Sequence, residues 1–437
     1  MTEILLRGRV LTFHAEPIMG EASTETFTYI EDGALLIRDG KIVAMDNYTV
    51  LQSGEGGSVE VIDHRPHLIM PGFIDCHIHY PQMQVVGSYA GALLEWLDKY
   101  TFVEEQKFSN QGHPARIASA FFDELIRNGT TTAAAYCSVH KGSVQAFFAE
   151  SHKRNMRMIA GKVMMDRNAP PGLLDTPQSG YDQSRELIDE WHGEGRQLYA
   201  ITPRFAPTST PEQLEMSGAL VREFPELHVQ THLCENAAEI AFVAELFPWS
   251  RDYTDVYRHY GLLGPKTLLG HCIHLTDAEI SVIASSKSVA VFCPTSNLFI
   301  GSGLFNLARL RDADVRTAIA TDIGGGTSYS MLRTLDEGYK ILNIQGQRYH
   351  PLRSFYQATL GNARALSLDG VIGSFKPGAE ADCVILDARA TPAMRVRMET
   401  VETLVEELML LQTMGDDRCI AEVYVAGSPS KSTLTTC

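Results

Sequence analysis

The 437-residue chain is short of positive charge. Its 37 lysines and arginines face 53 aspartates and glutamates, a formal net charge of −16. A surface that negative repels phosphate backbones and anionic lipid, so neither nucleic acid nor membrane is an expected partner. Paired cysteine motifs are also missing. The eight cysteines stand at 76, 137, 234, 272, 293, 383, 419 and 437, with no CxxC among them. Scattered thiols of this kind fit a reducing, cytoplasmic setting better than a disulfide scaffold. The opening MTEILLRGRVLTF places Glu3 and Arg7 inside its apolar stretch and lacks a signal-peptide core. One long uncharged run, 288–308, is broken by Pro294, Asn297, Gly301 and Gly303, which makes it strand and loop instead of a membrane span. Phosphate-cradling signatures are absent as well. The Gly-rich 53–58 (SGEGGS) is followed by no GK[ST] and reads as a turn, and no GxGxxG marks a first strand-to-helix turn.

What is present is ordinary globular material, 44% hydrophobic and 21% charged, ample for a core. Short strands are expected at 4–13, 29–37, 41–46 and 59–63, and again at 381–386 and 419–425. Between these ends, eight apolar runs occupy 67–79, 129–137, 156–165, 198–206, 228–235, 267–274, 288–297 and 316–324. They alternate with amphipathic stretches such as 114–127, 183–191, 211–223, 236–246 and 277–285, and helices are expected at 330–344 and 352–366. Crossovers of a dozen residues or more are what parallel neighbours require. The expected fold class is therefore α/β: a (β/α)8 TIM-like barrel with a small β-sandwich domain built from both chain termini. The expected divisions are 1–66 and 371–437 for the two parts of the sandwich, the latter with a helix, and 67–370 for the barrel.

His77 and His79 end the first barrel run two residues apart, so their imidazoles share one face of a strand. Alone, the pair is either half of a metal site or two ordinary histidines. Three further residues that coordinate metals, His232, His271 and Asp322, stand near the C-terminal ends of runs five, six and eight. That rim is where barrel enzymes carry their chemistry, and the set together points to a metal centre. Glu235, three residues past His232, is placed either as a proton shuttle or as a helix-start glutamate favoured by the dipole. Arg204, closing an apolar strand, needs a substrate acceptor or an acidic neighbour. Gln82 offers an amide donor and acceptor beside the histidines, or is a plain loop residue. Gly324–Gly326 reads as a turn, Leu93–Tyr100 as an apolar helix or lid, and Cys234 as structural.

With those residues in view, the chain resembles the amidohydrolase superfamily. The carrying segments are PGFIDCHIHY (71–80), the separated His232 and His271, Asp322, and KPGAEADCVILD (376–387). Arg204 stands on the fourth strand where a bridging carboxylated lysine would be expected, and this points to the mononuclear aminohydrolase branch. Further segments, HIHYPQ, LLEWLDKYTF, MIAGKVMMDRNAP, ITPRFAPTS, THLCEN, FCPTSNLFIGSGLFN and TDIGGGTS, are similar to those of members of that branch acting on guanine. The resemblance implies hydrolytic deamination of guanine to xanthine and ammonia, and an assembly of two identical chains. It implies one zinc per chain on His77, His79, His232 and Asp322, although a site of this kind also accepts iron. Gln82, Arg204, Phe205, Glu235 and Asp322 would contact the purine, with Glu235, His271 and Asp322 as the catalytic groups. A related deaminase or chlorohydrolase for another aminated ring shares the same metal set. A barrel that had lost its metal would lack one of the donors.

Overall fold

The computed structural model describes residues 3–17, 25–54, 59–89 and 93–434. Eight parallel strands form the barrel in chain order: Phe73–His79, Thr130–Tyr136, Arg157–Gly161, Gln197–Pro203, His228–Leu233, Thr267–His271, Val289–Phe292 and Arg316–Ile319. The seam between the eighth and first is closed by backbone. Asp322 N–H donates to the His77 carbonyl at 2.9 Å, and His79 N–H to that of Ile323 at 2.6 Å. The strands are buried on both faces, as parallel strands wrapped by helices must be. Several helices on the outside start on residues whose side chains accept from their own first turn, among them Thr176, Thr210, Asn236 and Thr276.

Both chain ends supply a second sheet, a single mixed one of seven strands. Its order is Ser428–Pro429, Ile420–Val425, Cys383–Leu386, Glu60–Pro71, Glu3–Phe13, Phe27–Arg38 and Lys41–Asn47. Only Glu3–Phe13 and Glu60–Pro71 pair in parallel. Apolar clusters cover both of its faces, around Leu6, Val10 and Ile385 on one and Leu5, Ala34 and Leu36 on the other.

Five expectations need correction. The run 67–79 is two strands, one in each sheet, divided at Gly72. A Cβ there would lie 2.2 Å from Thr131 Oγ1, so only glycine lets the chain turn that close to its neighbour. The run 156–165 divides at Lys162 into Arg157–Gly161 and Val163–Met164. The helix at 352–366 is α, then π over Gln357–Gly361, then α again. A short helix, Tyr48–Gly54, occupies the start of the expected 53–58 turn, whose residues 55–58 lie outside the described residues. The uncharged run 288–308 is the seventh strand, the helix Pro294–Phe299 and the start of another helix. Among the described residues no helix is long and apolar enough to cross a membrane.

Candidate active site

The two histidines of the first strand bring their Nε2 atoms to 3.2 Å of each other. His232 Nε2, from the fifth strand, lies 3.2 Å from that of His79. Asp322 Oδ1, just past the eighth strand, lies 3.3 Å from His77 Nε2 and 3.5 Å from His79 Nε2. A tetrahedral ion held at about 2.0–2.1 Å has ligand-to-ligand edges of about 3.3–3.4 Å, and these four distances lie close to that value. The three histidine donors form one buried grouping able to hold a metal ion. Burial holds the pKa of all three histidines below its ordinary value, which leaves neutral imidazoles with lone pairs to offer. His232 Nδ1–H donates to the Arg204 carbonyl at 2.7 Å, and that bond fixes the tautomer with Nε2 free. The carboxylate of Asp322 is disfavoured by burial, but His77, His271 and Ser296 outweigh it and keep its pKa low.

The chain leaves the fifth, sixth and eighth strands through left-handed residues: Cys234 (φ 51°), His271 (φ 70°), Cys272 (φ 52°) and Asp322 (φ 54°). Such backbone costs on the order of 1 kcal/mol or more per residue and persists where the surroundings enforce it. Here it coincides with the residues that face the site. Cys272 points its thiol back to the Leu269 carbonyl, away from the donors, and Cys234 meets Glu279. Cys293, which carried no assignment, sits in a second buried grouping with His77, His271 and Asp322.

Beside the quartet stands a carboxylate–imidazole pair. Glu235 Oε2 is 3.3 Å from His271 Nε2, while its Oε1 accepts from Ser302 Oγ at 2.8 Å. Burial raises the pKa of Glu235 against the opposing pull of His271. Burial works against the His271 cation, yet Glu235, Asp322 and Asn297 prevail and its pKa lies above the ordinary value. His271 Nδ1 donates to Asn297 Oδ1 at 3.0 Å, and Nε2 lies 3.7 Å from Asp322 Oδ2. The pair sets a buried acid beside a buried base, next to the cation site.

Each site residue expected from the sequence borders this pocket or lies directly behind it. His79, Gln82, Arg204, Phe205, His232, Glu235, His271 and Asp322 line the pocket, with Leu93, Trp96, Leu97 and Ile300 as its apolar walls. The leucines of the 93–100 segment therefore serve both the core and the pocket. Arg204 does meet an acidic neighbour: its Nη1 donates to both oxygens of Glu105, at 2.8 and 3.0 Å. Glu105 escaped notice in the sequence. A π turn at Leu97–Thr101 interrupts the helical period and rotates everything after it, so a helical wheel drawn from Leu93 misplaces Glu105. Asn297 and Ser302 lie within FCPTSNLFIGSGLFN (292–306), where no spacing marks them as partners of His271 and Glu235.

Residues 68–429 match the model of the amidohydrolase family. The chain is 48% identical to the guanine deaminase of Escherichia coli (strain K12) over 407 residues, 93% of each chain. A solved structure of E. coli guanine deaminase superposes with a TM-score of 0.95 at 46% identity, over 98% of this chain and 99% of that one. A guanine deaminase from C. acetobutylicum, solved with guanine in its active site, superposes with a TM-score of 0.86 at 30% identity, over 98% of this chain and 100% of that one.

Proposed function

The chain belongs to the amidohydrolase family, and from that premise we propose that it hydrolyses guanine to xanthine and ammonia. The observation that carries the reading is the meeting, in one buried place, of the His77–His79–His232 grouping and the neighbouring Asp322 with the Glu235–His271 pair. His77, His79, His232 and Asp322 are the proposed holders of one zinc. Zinc held there would activate water for attack at neutral pH, because coordination lowers the pKa of water to about 7.

The reaction adds water at the carbon bearing the 2-amino group and then expels ammonia. Asp322, with Oδ2 turned toward His271, accepts the proton of the attacking water and passes it to the amino group, which leaves as ammonia, while the new hydroxyl returns a proton to Glu235 as it becomes the carbonyl. Burial raises the pKa of Glu235 and favours its acid form, which gives its proton to the ring nitrogen beside that carbon. His271 donates from Nε2 and stabilises the charge that develops as the carbon becomes tetrahedral. Arg204 reads the O6 acceptor of guanine. Adenine offers an amino donor at that place, would leave a buried cation facing a donor, and is rejected. Gln82 gives Nε2 to Glu105 and takes the Gly324 N–H on Oε1, so its remaining amide hydrogen is what it offers substrate. Phe205 supplies an aromatic wall beside His232. A guanidinium on the pocket wall favours a ring carbonyl over the chlorinated ring that a related chlorohydrolase would take. We place the enzyme in the cytoplasm as a homodimer, a setting that suits seven buried free thiols among the described residues.

Purified protein is expected to hold one zinc per chain and to release ammonia from guanine far faster than from adenine, cytosine, pterins or melamine-like triazines. Elemental analysis counting two metals per chain contradicts the single site, full turnover after chelation contradicts the metal chemistry, and preference for another ring contradicts the substrate.

A further inference from the structure

The segment over the barrel mouth contributes a buried carboxylate that no step above uses. Leu93–Trp96, Leu97–Thr101, Phe102–Glu105 and Gln106–Ser109 follow one another as a single irregular helical arm. Leu93, Trp96, Leu97 and Phe102 pack with Phe205 and Ile300, and the arm delivers Glu105 to a position only 1% exposed. There its Oε1 accepts from Arg204 Nη1 and from Gln82 Nε2, both at 3.0 Å, and its Oε2 accepts from Arg204 Nη1 at 2.8 Å. Gln82 in turn accepts from Gly324 N–H at 3.1 Å. That approach needs glycine, since a Cβ at 324 would lie 2.6 Å from the Gln82 carbonyl oxygen. Phe102 adds its ring 5.5 Å from the Arg204 guanidinium carbon. Glu105 thus sits within a chain of contacts running from the fourth strand's exit, at Arg204, through the first strand's exit, at Gln82, to the glycine run after the eighth.

Two members of that chain, Arg204 and Gln82, line the pocket. A buried guanidinium with no counter-charge attracts any anion that fits. Paired with Glu105 it is neutral overall, and the N–H groups it does not give to Glu105 remain for an uncharged acceptor. We propose that Glu105 is a specificity-determining positioning residue: it orients Arg204 and Gln82 toward the neutral carbonyl edge of the substrate and cancels the charge that would otherwise hold an anionic purine. This rests on the proposed guanine deamination. It bears on turnover because hydrolysis exchanges an amino group for a second ring carbonyl. The product gains an acidic imide N–H and ionises more readily than the substrate, so a neutral wall lets it leave.

The test compares wild type, Glu105→Gln and Glu105→Asp as zinc-loaded holoproteins. Guanine kinetics are measured, and xanthine is titrated calorimetrically at alkaline pH, where it is anionic. For Glu105→Gln, zinc content is expected to hold, KM for guanine to rise about tenfold or more with a smaller change in kcat, and xanthine to bind several-fold tighter. Glu105→Asp keeps the charge with a shorter reach, so KM should rise while xanthine affinity stays near wild type. Unchanged KM and xanthine affinity in Glu105→Gln overturn the proposal, as does tighter xanthine binding by Glu105→Asp. Should Glu105→Gln fail to fold, the Asp variant decides by those same two readings. Calorimetry needs no turnover, so a wild type that ignores guanine as a substrate counts against the proposed activity and leaves the xanthine comparison to judge Glu105.

Discussion

At the scale of single residues, burial shifts the site's groups toward their uncharged forms, lowering the pKa of His77, His79 and His232 and raising that of Glu235. Glu235 is the group to change. A glutamine there keeps the size of the side chain and can still accept from Ser302, but carries no acidic proton. Glu235→Gln is expected to retain zinc and bind guanine while losing about two or more orders of magnitude in turnover. Because the protonated form is the active one, wild-type turnover should fall as pH rises through the raised Glu235 pKa, and that alkaline limb should vanish in the variant. A variant that instead sheds zinc, and regains activity when metal is restored, makes Glu235 part of the metal's surroundings. His77 and His79 were legible because a strand repeats every two residues and so fixes which side chains share a face. Asn297 and Ser302 were not, because their partners come from other strands and only the closed barrel brings them within 3.0 Å.

At the scale of elements, the eight strands were readable as apolar runs and the longer helices between them, such as His113–Arg127 and Pro211–Glu223, as amphipathic stretches, whereas the short irregular pieces were not. The sequence pattern carries through Gly72, so one run hid two strands that belong to different sheets. The π turn at Leu97–Thr101 and the short helix Tyr253–His259 span too few residues to leave a periodic trace. That short helix nonetheless holds the site together. The Tyr257 hydroxyl donates to the His232 carbonyl at 2.8 Å and accepts from Ala206 N–H and Thr231 Oγ1, both at 3.0 Å. It joins the exit of the fourth strand, which carries Arg204 and Phe205, to the fifth strand and its proposed zinc ligand. Tyr257→Phe removes all three bonds and leaves buried backbone groups unsatisfied, at a cost of about 2–4 kcal/mol. Loosening His232 should also weaken zinc binding roughly tenfold or more. Urea unfolding and competition with a zinc chelator measure the two effects. Wild-type values in both would show that packing of the ring alone positions the strand ends.

At the scale of the whole molecule, the barrel and the terminal sheet are joined by a buried ion network whose members are far apart in sequence. Glu380 and Asp382 lead into Cys383–Leu386 of the sheet, and they accept from Arg157, at the start of the third barrel strand, and Arg196, just before the fourth. Arg157 Nε reaches Glu380 Oε2 at 2.7 Å, Arg196 Nη2 reaches the same oxygen at 2.6 Å, and Arg196 also bonds Asp382. The segment KPGAEADCVILD announced the return of the chain to the sheet, but nothing in it named partners 223 residues away. Burial alone would raise the pKa of Glu380. The two guanidiniums reverse this and hold it at about 2, against an ordinary value of 4.5. A carboxylate whose folded pKa is depressed stabilises the fold fully above its unfolded pKa and loses that contribution as pH falls toward the folded one. The contribution here is about 3 kcal/mol, present above pH 4.5 and lost between there and about 2. Glu380→Ala should cost about 3–5 kcal/mol at neutral pH, because it strands two buried cations with less counter-charge. Its stability should also fall less steeply over that acid range than the wild type's. Urea midpoints measured across the range in both proteins decide it, and equal acid slopes would mean that Asp382 and the surrounding carbonyls carry the junction without Glu380.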